Sequence, residues 1–189
     1  MLSPDFLMNL AKRIHEGLQS LEQEMLDRVG NIEKGGDFLG EEPVSPPDLL
    51  SGYAGGEGIV DGFAQTFSRL FGEGRVTAEE LASRLDCPLA YAQRLGERVL
   101  FRPSRDLVVA LCFALELTPE KAEELLRSAG YDLRGGEVYD IVVRYCLEEG
   151  VFDLGDVSEA LECFNLKGIS LQRIEAELRK RYGELPKNS

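Results

Sequence analysis

Near the start of the chain, Leu7, Leu10, Ile14, Leu18, Leu21 and Met25 recur every three or four positions. This spacing puts them on one stripe of a helix over residues 4 to about 28. At ~1.5 Å per residue that helix is about 36 Å long. Gly17 in its interior costs roughly 1 kcal/mol of helix propensity. The stripe suits a helix docked on its own domain or a seam between two copies of the chain, and periodicity does not choose between them. Over residues 30 to 58 the periodicity stops. The run NIEKGGDFLGEEPVSPPDLLSGYAGGEG is rich in glycine, holds three prolines and is mostly acidic, which reads as a linker. Ser45-Pro46-Pro47 within it is too short a motif to outweigh a solvated linker.

From Ile59 onward the pattern predicts a succession of short helices with explicit punctuation. Ile59, Phe63, Phe67, Leu70 and Phe71 form the first apolar face, closed by Gly72. Thr77-Ala78-Glu79-Glu80 is a capping box that opens a helix burying Leu81, Ala82 and Leu85. Pro88 suits a first helical position, followed by Tyr91, Ala92 and Leu95. Ser104 caps a helix carrying Leu107, Val108, Leu111, Cys112 and Leu115. Thr118-Pro119 opens the next, and Gly130 stands where a left-handed residue is needed just past its end. Three more helices follow over residues 137 to 149, 153 to 164 and 170 to about 182. No stretch alternates as a strand does, so the expected fold is all-α. Composition divides the chain into 1–29 (N-terminal amphipathic helix), 30–58 (linker), 59–131 (central helical domain) and 132–189 (C-terminal helical extension).

Helices of about nine to twelve residues joined by tight turns, two of them separated by little more than Asp86-Cys87, make a helix-turn-helix pattern. The segments TAEELASRLDCPLAYAQRL and RPSRDLVVALCFALELTPEKAEELLRSAGY resemble the five-helix, lambda-repressor-like or Xre-type DNA-binding domain. The stretch EVYDIVVRYCLEEGVFDLGDVSEALECFNLKGI is similar to a two-helix extension found in bacterial Xre-like proteins. Together the resemblance covers roughly residues 59 to 169. It implies a cytoplasmic bacterial DNA-binding or transcription-associated regulator. In that family the N-terminal end of the third helix enters the major groove, and a glutamine opening the second helix contacts phosphate. The matching positions here are Pro88, Leu89 and Ala90 for the base readers and Ala78 for the glutamine. None of these side chains forms a hydrogen bond to a base edge, so direct readout is missing at the places where the family has it.

The chain's 189 residues carry 21 Lys+Arg and 34 Asp+Glu, a formal charge of −13. An acidic chain is a poor bulk ligand for phosphate, yet the excess is uneven. Residues 1–58 hold four basic and eleven acidic side chains, 59–131 nine and eleven, and 132–189 eight and twelve. Within residues 84 to 105 five arginines face only Asp86 and Glu97, leaving +3. Gln93, Arg94, Arg98, Arg102 and Arg105 are therefore the expected duplex-DNA contacts, mostly to phosphate. The competing expectation is that these arginines pair inside the molecule with Glu97, Asp86 or Asp106. On that reading the chain is a non-enzymatic protein-interaction module on a helix-turn-helix scaffold that has lost base readout.

Little else carries chemistry. The four cysteines are scattered and there is one histidine, His15, so neither a zinc site nor a metal cofactor is expected. Cys87, at a predicted helix N-terminus, is the one thiol placed for an acidified pKa. No catalytic constellation stands out, and the glycine pairs do not follow strands as dinucleotide loops do. No apolar run reaches the length of a membrane span, and no secretory signal is evident, so a cytoplasmic location is expected.

Overall fold

A computed structural model describes residues 1–34, 56–96, 102–133 and 137–183. Among them are nine helices and no strand: α1 (Pro4–Lys34), α2 (Gly56–Glu73), α3 (Ala78–Arg84), α4 (Leu89–Gly96), α5 (Arg105–Ala114), α6 (Pro119–Ser128), α7 (Val138–Glu148), α8 (Leu154–Cys163) and α9 (Leu171–Tyr182). The all-α expectation holds, and most boundaries fall within a residue or two of the sequence reading.

The linker is shorter at both ends than composition implies. Helix α1 runs through Gly30 to Lys34, and α2 begins at Gly56 rather than near Ile59. Glycine weakens a helix by about 1 kcal/mol without ending it, so a composition shift marks a boundary only approximately. Residues 35–55, including Ser45-Pro46-Pro47, lie outside the described residues.

The helix starts follow their caps. Ser3 Oγ accepts from Phe6 N–H at 3.2 Å ahead of Pro4 at the first helical position. The Thr77 capping box is complete: Glu80 N–H donates to Thr77 Oγ1 at 3.2 Å and Thr77 N–H to a Glu80 carboxylate oxygen at 2.8 Å. Asp153 and Ser170 cap α8 and α9 through their side chains, whereas Thr118 opens α6 with Pro119 and no side-chain bond.

The helix ends share one device. Asp86, Glu116, Gly130, Gly150 and Asn165 follow α3, α5, α6, α7 and α8 and all have positive φ, from 48° to 84°. In each case the next residue's N–H returns to the carbonyl five positions back. These bonds are Cys87 to Ala82 (3.0 Å), Leu117 to Cys112 (3.0 Å), Tyr131 to Leu126 (2.9 Å), Val151 to Cys146 (2.9 Å) and Leu166 to Leu161 (3.0 Å). This is the Schellman termination, with an apolar residue after each left-handed one.

Helix α5 occupies the centre. Every residue from Leu107 to Ala114 is buried, so this helix is enclosed on all sides rather than on one stripe. Helices α6 and α8 pack against it, α2 packs on α6, and one hydrophobic cluster runs from Leu10 in α1 to Leu178 in α9. The stretches 59–131 and 132–189 thus contribute to the same core. Helix α1 reaches that core only through its first half: Leu10 and Ile14 are buried, Phe6 meets Tyr145 at 5.1 Å between ring centroids, and Arg13 pairs with Glu148 at 2.8 Å.

Candidate interaction surfaces

Helices α3 and α4 are joined by residues 85 to 88, with Asp86 providing the left-handed step (φ 48°). Cys87 N–H bonds back to Ala82, and the Pro88 carbonyl accepts from Tyr91 N–H at 2.9 Å. Tyr91, Ala92 and Leu95 are buried, which turns Gln93 and Arg94 to solvent and leaves Leu89 39% exposed beside them. The outer face of α4 is therefore part polar and part apolar, with the apolar part at its N-terminal tip.

The arginines of the +3 window do not form one free basic face. Arg84 donates to the Ala114 carbonyl at 2.6 Å and pairs with Glu116 at 2.8 Å. Arg105 bonds Asp140, approaches Glu137 at 3.6 Å and sits over the Tyr139 ring at 4.8 Å. Arg94 turns toward the end of α9: its guanidinium donates to the Tyr182 carbonyl at 3.4 Å and lies 5.9 Å from the Tyr182 ring centroid. Arg102 is exposed and makes no ion pair among the described residues. Arg98 lies outside them. Internal partners therefore do take up arginines of this window, but they are Glu116, Glu137 and Asp140 instead of Asp86 and Asp106, and Glu97 lies outside the described residues.

Helix α9 has a part in this that its sequence does not signal. Tyr91 donates its hydroxyl to the Gly183 carbonyl at 3.0 Å and stacks on Tyr182 at 6.2 Å. On the neighbouring side Ser104, the cap of α5, donates its N–H to Glu177 at 2.9 Å and its hydroxyl to the same carboxylate. Helix α9 thus holds both α4 and the start of α5 through its C-terminal half. The sequence reading placed a helix from 170 to about 182, but nothing local pairs Tyr91 or Ser104 with residues more than seventy positions away.

Buried titratable groups are shifted by desolvation. Asp140 is 6% exposed, and burial raises its carboxyl above the ordinary value despite the adjacent Arg105. Burial, with Glu175 and Asp86 nearby, pushes the Cys87 thiol up to about 11. The expectation of an acidified Cys87 is overturned: it sits before α4 against apolar neighbours and carboxylates, and desolvation outweighs the helix dipole. Cys146 is pushed up to about 12 by burial. His15 is exposed and shares a 3.0 Å hydrogen bond with Gln19, one turn on.

A second surface lies along α1. At ~100° per residue, Leu10, Ile14, Gly17 and Leu21 point toward the body, while Leu18, Met25 and Val29 sit roughly 50 to 90° further round. A Cβ on Gly17 would lie 2.7 Å from Ile141 Cδ1, so the helix makes a close approach to α7 here. Beyond that point α1 lacks cover: Leu18, Met25, Leu26 and Val29 are 44%, 69%, 58% and 56% exposed. Between this distal half and α7 runs a groove of about 710 Å³. Its apolar floor includes Leu21, Leu133 and Ile141, and its rim carries five carboxylates against Arg13 and Arg144. Both arginines are already engaged, Arg13 with Glu148 and Arg144 with Glu148 (3.1 Å) and Glu123 (3.0 Å).

Among the described residues, no group of three or more His, Cys, Asp or Glu is placed to hold a metal ion, and no helix is long and apolar enough to cross a membrane. Compared with protein-family models, curated proteins and solved structures, the chain matches none.

Proposed function

We propose that this chain is a non-enzymatic protein-interaction module on a lambda-repressor-like helix-turn-helix scaffold, acting in the bacterial cytoplasm. The observation that carries the proposal is the internal commitment to carboxylates of Arg84 and Arg105, which a phosphate-binding face would leave turned outward. The tip of α4 adds to it, because Leu89 and Ala90 offer apolar surface where a DNA reader presents hydrogen-bonding side chains. A net charge of −13 favours a protein partner over a polyanion.

A second reading, sequence-blind binding to duplex DNA, is favoured by exposed Gln93 and by Arg102, which stands without an ion pair among the described residues. One titration separates the two. Labelled duplex DNA at ~50 mM salt gives no complex if the protein-interaction reading holds. A complex that weakens steeply with salt, and weakens again on replacing Arg94 and Arg102 with Ala, establishes the DNA reading in its place.

A further inference from the structure

We infer that the distal half of α1 and the groove beside it form a docking site for a basic amphipathic helix of another protein. The inference rests on the interaction-module reading and names its surface and its partner's chemistry.

The shape comes first. From residue 18 to the end of α1 at Lys34 there are seventeen residues, or ~25 Å of straight helix. Its first two turns, through Ser20, Leu21 and Glu24, line one wall of the groove, and Ile141 and Leu133 lie across from them. A helix laid alongside would cover Leu21 in the floor and reach Leu18, Met25 and Val29 on the rim, the three-and-four spacing that one amphipathic helix reads on another. Leaving this stripe in water costs about 25 cal/mol per Å² relative to burying it.

Charge identifies the occupant. Over residues 18–29 Glu22, Glu24 and Asp27 flank the stripe against Arg28 alone. In the groove Glu123 and Glu148 pair with Arg144 and Arg13 and Asp140 pairs with Arg105, so the acidic surplus rests chiefly on Glu24 together with Glu22 and Asp27 of α1. A second copy of the chain, at −13, would set acidic flank against acidic flank. Lysines and arginines flanking an apolar face meet this surface with complementary charge.

The test uses the full chain and two helix-forming peptides of about 18 residues, ~27 Å long. One carries leucines on one face and lysines elsewhere, and the other is the same peptide with glutamates for lysines. Methyl NMR of the methionines gives the readout, since Met25 lies on the stripe and Met8, 67% exposed, lies on the docked half. The lysine peptide is expected to shift the Met25 methyl and leave Met8 in place, and the glutamate peptide to shift neither. Leu18→Ser with Leu21→Ser is expected to weaken the lysine peptide at least tenfold. Equal shifts at Met8 and Met25, or unchanged affinity in the double variant, would mean charge attraction without a site and overturns the inference. Sedimentation as a dimer that the double variant dissociates assigns the surface to a second copy and overturns it equally. Neither result touches the DNA titration, so this docking site and the underlying function fail separately.

Discussion

Arg105 and Asp140 show how much a single charge depends on its partner. Asp140 is buried on α7, and Arg105, at the start of α5, is its ion-pair partner among the described residues. Removing one member of a buried pair leaves the other desolvated and alone, so Arg105→Ala is expected to cost about 2 kcal/mol near neutral pH. The pH dependence follows from the direction of the Asp140 shift. Its folded-state pKa lies above the unfolded value, so between the two the folded chain binds more protons and stability falls as pH rises. Without Arg105 that pKa climbs further, so the defect should be larger at neutral pH than at an acid pH low enough to protonate the carboxyl. Urea midpoints of both proteins at the two pH values check this, and an equal defect at both would show that Asp140 is not the cause. The arginine itself was plain in the sequence as part of a basic window. Its acceptor lies thirty-five residues away, and a window count weighs only neighbours along the chain.

Helix starts and stops were the most legible elements, because caps are local chemistry. Thr77 with Glu80, Ser104, Pro119 and Gly130 all do what short-range patterns assign to them. The left-handed roles of Asp86, Glu116 and Asn165 were less legible, since non-glycine residues seldom announce that conformation. A paired substitution isolates the backbone contribution. Gly130 has φ +84° and open space where a Cβ would stand, as does Gly72 within α2 but without the positive φ. Gly130→Ala is expected to destabilise by about 1 kcal/mol through left-handed strain, whereas Gly72→Ala should stabilise by about 0.5 kcal/mol through helix propensity. Thermal unfolding of both distinguishes them, and the same sign at both sites would contradict the conformational account. Gly17 is a third case. Its propensity cost was visible from sequence, but the reason to keep it, the approach of Ile141, was not.

At the scale of the molecule, one core joins the central helices to the C-terminal extension. Composition divided the chain at residue 131, and the pattern put Leu107, Val108, Leu111, Cys112 and Leu115 on the apolar face of α5. The run from Val108 to Ala114 is apolar nearly throughout, which was the available sign of a helix enclosed on every side. The candidate site was legible in part. Gln93 and Arg94 do stand on the outer face of α4, while the tie from α9 and the groove along α1 depend on packing between distant segments. Net charge proved less informative than its placement, because internal partners already hold Arg84 and Arg105.

The two halves of α1 also differ in what keeps them helical. Up to Gly17 the helix is held by Leu10, Ile14 and the Arg13–Glu148 pair, and beyond it no α1 residue is fully buried among the described residues. Most helical stability in proteins comes from packing of an amphipathic face, so amide protons after Leu18 should exchange with deuterium at least tenfold faster than those from Leu10 to Gly17. Uniform protection along α1 would contradict this division. A partner seated on the distal half would slow exchange there and leave the proximal half unchanged, so α1 would record occupancy as a gain in its own local stability.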